Sequence, residues 1–125
     1  MTFPRPFSPR ARMKSFGHAL RGLRDVTRSQ HNLWLHIAIA VLVGGAGLVA
    51  RLSGQEWLWL IVAITLVLVT EILNTAFEFL CDVVSTDFHP GIAKAKDIAA
   101  AAVLVAAVGA VFIGVVIFWP HVLTR

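Results

Sequence analysis

Four residues of this chain have the types and spacing to do chemistry together: Glu71, Asn74, Glu78 and Asp82. At about 100° per residue, a helix places Asn74, Glu78 and Asp82 each within roughly 60° of Glu71. Three carboxylates and an amide then form one polar stripe at the end of a long apolar run. Ionisable groups in a membrane-spanning segment are costly and by default mark a functional site. Carboxylates at the membrane boundary can hold Mg²⁺, which in turn holds phosphates. A lysine can neutralise phosphate charge, and Lys96 and Asp97 open the next apolar run. A carboxylate set deeper, in a drier place, suits a general base that takes a proton from a hydroxyl. The set therefore suits phosphoryl transfer at a membrane surface. A structural polar network between helices uses the same residues, and so does a small proton- or ion-coupled transporter. Between Trp59 and Val69 the only polar residue is Thr65, which counts against a pathway continuing outward from Glu71. There is no GxxxxGK[ST] and no protein-kinase signature, so neither major nucleotide-binding class applies.

The elements that must position these residues follow from composition and period. The chain has 125 residues, 58% hydrophobic and 14% charged, against about 45–50% and 25% in soluble domains. One all-α membrane domain is expected. Residues 1–9 carry Pro4, Pro6 and Pro9 and read as a flexible tail. Residues 10–29 read as an amphipathic surface helix, with Phe16, Leu20 and Leu23 at helical spacing and Lys14, Arg21, Arg24 and Arg28 on other faces. A solvated arm is the plainer reading of the same stretch. Three transmembrane helices are expected over 33–52, 57–82 and 98–119. The first carries His36, read as a polar contact, and Gly44, Gly45 and Gly47, which suit close packing in lipid. The loop 82–95 contains Pro90-Gly91, read as a stop to helix continuation. The third span repeats small residues at Ala102, Ala106, Ala110 and Gly114, a seam for a neighbouring helix. All four tryptophans sit at span ends, as in an aromatic belt.

Seven Lys/Arg residues precede the first span, and Lys94 and Lys96 lie in the second loop, whereas the other side has only Arg51 and Arg125. The positive-inside rule puts the amino end and the second loop in the cytoplasm. The basic amino end then faces anionic lipid rather than nucleic acid. Five histidines show no metal-ligand spacing, and the lone Cys81 cannot form an intrachain disulfide. No cleavable signal is apparent. Measured from Trp57, Glu71 lies roughly 21 Å and Glu78 roughly 31 Å along the axis. Glu71 is thus below the cytoplasmic surface, and Glu78 and Asp82 are at the water boundary.

The run Glu-Ile-Leu-Asn-Thr-Ala-Phe-Glu at 71–78, then Asp82, His89-Pro90 and Ala-Lys-Asp-Ile at 95–98, resembles the signature of the prokaryotic diacylglycerol kinase family, which includes undecaprenol kinases. The resemblance extends from Lys14-Ser15-Phe16 and Ala19-Leu20-Arg21-Gly22-Leu23 to the third span. It implies a homotrimer in the bacterial cytoplasmic (inner) membrane, with active sites shared between neighbouring subunits. It implies transfer of the γ-phosphate of MgATP to a lipid hydroxyl, diacylglycerol to phosphatidic acid, with undecaprenol as the alternative acceptor. By the same resemblance, Glu71 matches the catalytic base and Asn74 its polar neighbour. Glu78 matches a metal ligand beside the nucleotide. Lys96, Asp97, Asp87, Phe88 and His89 match nucleotide-binding positions, and His18 matches one on the surface helix. Where the family has a second metal-binding glutamate, this chain has Gln30, which offers a carbonyl oxygen but no charge. An inactive relative is the reading that departure raises. His89-Pro90, with Asn32 and His36, looks more like the undecaprenol branch.

Overall fold

The computed structural model describes residues 8–123, and most of the expected tail lies outside that range. Four helices run in order: α1 (Pro9–Ser29), α2 (His31–Ala50), α3 (Gly54–Val84) and α4 (Pro90–Leu123). Ser8 and Pro9, expected in the tail, instead start α1. The Ser8 side chain accepts from the Ala11 amide, and Pro9 takes the first helical position, where its missing N–H costs nothing.

At about 1.5 Å per residue, the 20, 31 and 34 residues of α2, α3 and α4 give about 30, 46 and 51 Å. All three are long and apolar enough to cross a membrane. The chain is an all-helical membrane protein. Leu42, Leu48, Val105, Phe112 and Val116, among many others, are exposed on the outer faces, as lipid contact requires. Because α3 and α4 overrun a hydrocarbon core about 30 Å thick, their ends project beyond it.

Helix α4 packs most extensively on α3. Leu52, Leu60 and Ile117 are buried together, with Trp57, Ile113 and Phe118 against them. At that end Ser53 and Glu56 form a reciprocal capping box, and Glu56 Oε1 meets His121 Nε2 at 2.9 Å. The tie reaches past Pro120, so α4 continues beyond the expected end at Trp119 to Leu123. Of the three glycines of α2, only Gly47 sits in a close approach. A Cβ there would come within 3.0 Å of Leu52 Cδ1 and of the Trp57 ring, whereas Gly44 and Gly45 face open space.

The largest departure from expectation is at Pro90-Gly91. The pair does not stop a helix; it starts α4, eight residues before the expected span. The His89 ring explains this locally. Its Nδ1 accepts the Gly91 amide at 3.1 Å, which caps the new helix. A Cβ at position 91 would stand 3.2 Å from that ring, so glycine leaves room for the cap. Pro90 at the first helical position fits the same logic.

Candidate active site

The inward face of α3 changes character halfway along. Leu60, Ala63 and Val67 are buried apolar residues, and the same face continues as Glu71, Asn74 and Thr75, buried to 3%, 8% and 2% exposure. Glu78 is half-buried and Asp82 exposed. The stripe therefore grades from dry to wet toward the end of α3. Thr75 donates its hydroxyl to the Glu71 backbone carbonyl at 3.0 Å. Asn74 Nδ2 donates to Glu78 Oε1 at 2.8 Å. This leaves Asn74 Oδ1 buried with no hydrogen-bond partner among the described residues. An unpaired buried acceptor costs about 1–3 kcal/mol, so Asn74 Oδ1 is open to a donor. The Glu71 carboxylate faces α2, where His36 Nε2 lies 3.7 Å from Oε2.

A second group forms where the chain turns from α3 to α4. Lys96 Nζ donates to Asp82 Oδ1 at 2.5 Å across that turn. Asp82 and Lys96, with Asp87, Phe88 and His89 between them in sequence, line an open cavity of about 550 Å³. The Ser85 hydroxyl donates to the Asp87 carbonyl at 3.1 Å and accepts the Asp87 amide at 3.2 Å, which shapes the loop. The cavity thus unites five residues of interest that are up to fourteen positions apart in the chain.

Other residues of interest stand apart. Asp97 is exposed and is not among those lining the loop cavity. His18 is exposed on α1, with Nδ1 at 2.6 Å from Arg21 Nη2. Gln30 is the half-buried elbow between α1 and α2, and its side chain caps neither helix. That elbow is held by Trp34 Nε1, which donates to the Thr27 carbonyl at 2.7 Å. Among the described residues no group of three or more His, Cys, Asp or Glu side chains could hold a metal ion. The oxygens present still fit Mg²⁺ with a nucleotide. Such an ion keeps several waters and is bound by one or two carboxylates plus substrate phosphates rather than by a cage.

Comparison with known proteins bears on what this polar face is for. The family model for prokaryotic diacylglycerol kinase matches residues 17–118, which takes in α2 and α3 whole, most of α1 and α4, and both polar groups. The chain belongs to the prokaryotic diacylglycerol kinase family. It is 40% identical to the undecaprenol kinase of Bacillus subtilis (strain 168), over 86% of this chain and 87% of the relative. It is 32% identical to the diacylglycerol kinase of Escherichia coli (strain K12), over 87% of this chain and 89% of the relative. A diacylglycerol kinase of Synechocystis sp. is 34% identical, over 88% of this chain and 63% of that longer relative. This member of the diacylglycerol kinase family is therefore a membrane-bound lipid kinase. His36 is the residue at this site whose contact sequence reasoning left without a partner. A histidine in an apolar span was the signal, but spacing within one helix says nothing about which residue of another helix it meets.

Proposed function

We propose that the protein transfers the γ-phosphate of MgATP to the hydroxyl of a membrane lipid, with undecaprenol as the acceptor and diacylglycerol as the second reading. The observation that carries the reaction is the graded stripe on α3, ending beside a loop cavity that holds a lysine. Two kinds of group are needed for this chemistry, and the buried and exposed parts of the stripe support one each. Glu71, buried below the boundary, takes the proton from the lipid hydroxyl as the oxygen attacks phosphorus. Asn74 holds Glu78 in place through its 2.8 Å hydrogen bond. Lys96 offers its ammonium to the phosphates and exchanges Asp82 for them. Asp87, Phe88 and His89 flank the nucleotide, and Asp97 and His18 are more distant contacts. Glu78, with the amide oxygen of Gln30, would hold Mg²⁺. When bound, that ion neutralises charge on the phosphates and aligns them.

Undecaprenol is preferred because the 40% relative bears that name while the E. coli diacylglycerol kinase stands at 32%. The counts of Lys and Arg support a cytoplasmic amino end and α3–α4 loop, in a bacterial cytoplasmic membrane, where ATP is available. The exposed Met13, Phe16, Leu20 and Leu23 of α1 support a helix lying on that surface. A homotrimer completes the proposal, with the resemblance as its support. The test offers undecaprenol and diacylglycerol side by side to the purified protein in mixed micelles with MgATP. Faster transfer to undecaprenol is expected. Faster transfer to diacylglycerol would reverse the preference, and transfer to neither would overturn both.

A further inference from the structure

His36 belongs to neither polar group, and no step above uses it. It stands on α2 with Nε2 3.7 Å from Glu71 Oε2, its side chain 19% exposed and that of Glu71 4%. The next polar groups on the Glu71 face, Asn74 and Glu78, are engaged with each other. Among the described residues, His36 is the basic side chain in ion-pair range of the Glu71 carboxylate. Its ring also closes one end of a cavity of about 260 Å³ between α2, α3 and α4, whose other walls are aliphatic or aromatic, Val43, Leu60, Val67 and Val111 among them. Those walls offer the imidazole no competing partner.

We propose that His36 is a positioning residue for the transfer: its Nε2–H holds one oxygen of Glu71 and turns the other toward the acceptor hydroxyl. This rests on the lipid-kinase reading above. A carboxylate turns easily about its last bond, with broad, roughly two-fold preferences, so a buried glutamate with no fixed partner presents its oxygens in many directions. At 3.7 Å the present contact is too long for a hydrogen bond. Contacts at catalytic groups are often long before substrate binds and tighten in the reacting complex. In that complex the outward oxygen of Glu71 takes the proton of the lipid O–H. The electron pair of that O–H bond stays with the lipid oxygen, which forms its bond to the γ-phosphorus. The bond from the γ-phosphorus to the β–γ bridging oxygen breaks, and its electron pair leaves with ADP. The proton remains on Glu71, and His36 keeps its own throughout.

The test compares the full-length parent with His36→Leu, His36→Gln and Glu71→Gln in mixed micelles containing undecaprenol or diacylglycerol. His36→Leu is expected to lower kcat on the order of 10²-fold, the typical effect of misplacing a reacting group by about 1 Å, with KM for MgATP unchanged. His36→Gln, whose amide N–H also donates, is expected to recover about tenfold of that loss. In histidine-labelled protein, the Nε2 resonance of His36 is expected to move on Glu71→Gln. Equal kcat in the parent and His36→Leu overturns the assignment. An equal loss in both His36 variants also overturns it and marks a packing role. A parent that phosphorylates neither lipid overturns the acceptor reading instead. The resonance then decides whether His36 holds Glu71, and an unmoved signal rejects it.

Discussion

Glu71 and Lys96 differ in burial, and the difference sorts what their loss should do. Glu71 is 3% exposed and faces an imidazole rather than solvent. Glu71→Gln keeps the shape but removes the base, so kcat should fall by about 10²–10⁴ while the melting temperature in micelles stays near the parent's. Unchanged turnover would remove Glu71 from the chemistry. Lys96 and Asp82 are 36% and 65% exposed at the side chain, and exposed ion pairs contribute little to stability. Lys96→Met should therefore raise KM for MgATP and leave the unfolding curve in place. An unchanged KM, with a shifted unfolding curve, would make the pair structural. Gln30→Glu adds the missing charge, so the Mg²⁺ concentration needed for half-maximal rate should drop several-fold. At this scale the α3 stripe was legible in the sequence because one helical period relates all four residues. The His36–Glu71 contact was not, because it depends on how α2 and α3 are rotated against each other.

Helix ends are where element-scale reading failed, for local reasons. Pro90-Gly91 reads as a stop or a start depending on what precedes it, and the His89 ring decides for a start. The α2–α3 turn shows a related effect. Arg51 takes the left-handed conformation, φ 57, at the end of α2, a place usually held by glycine. The backbone freedom that turn requires is thus not announced by its residue type. Gly47, by contrast, is small for a steric reason, because the Leu52 and Trp57 side chains close over it at 3.0 Å. Gly47→Val should force them apart and lower stability by about 1–3 kcal/mol, measured as a fall in melting temperature in micelles. Gly44→Val, facing open space, should change it far less. Equal effects at both positions would show that backbone freedom, rather than the close approach, is what α2 needs.

In a single molecule Glu71 stays apart from the loop cavity, although the last residue of its stripe, Asp82, lines that cavity. Glu71 lies eleven residues, about 16 Å along the axis, from Asp82, and the loop cavity is lined by Asp82 and Lys96 but not by Glu71, Asn74 or Glu78. Exposed apolar side chains along α2, α3 and α4 leave ample surface for lipid or for further copies of the chain. Transmembrane character was legible from length and hydropathy, whereas assembly leaves no periodic mark beyond the small-residue seam on α4. If neighbouring subunits share each site, one copy supplies the intact α3 stripe and the next supplies Lys96. Mixing Glu71→Gln with Lys96→Met, each nearly inactive alone when MgATP is scarce, would then rebuild working sites. In a random one-to-one assembly, half of the stripes are intact and half of those meet an intact lysine, so about a quarter of the parent activity should return. Dissociation and reassembly of the mixture in micelles, followed by the lipid-phosphorylation assay, measures it. Return of that fraction would mean the chemistry belongs to the assembly. No recovery, with exchange of subunits demonstrated by a tag on one variant, would mean that each chain closes the distance between its own stripe and loop on binding MgATP.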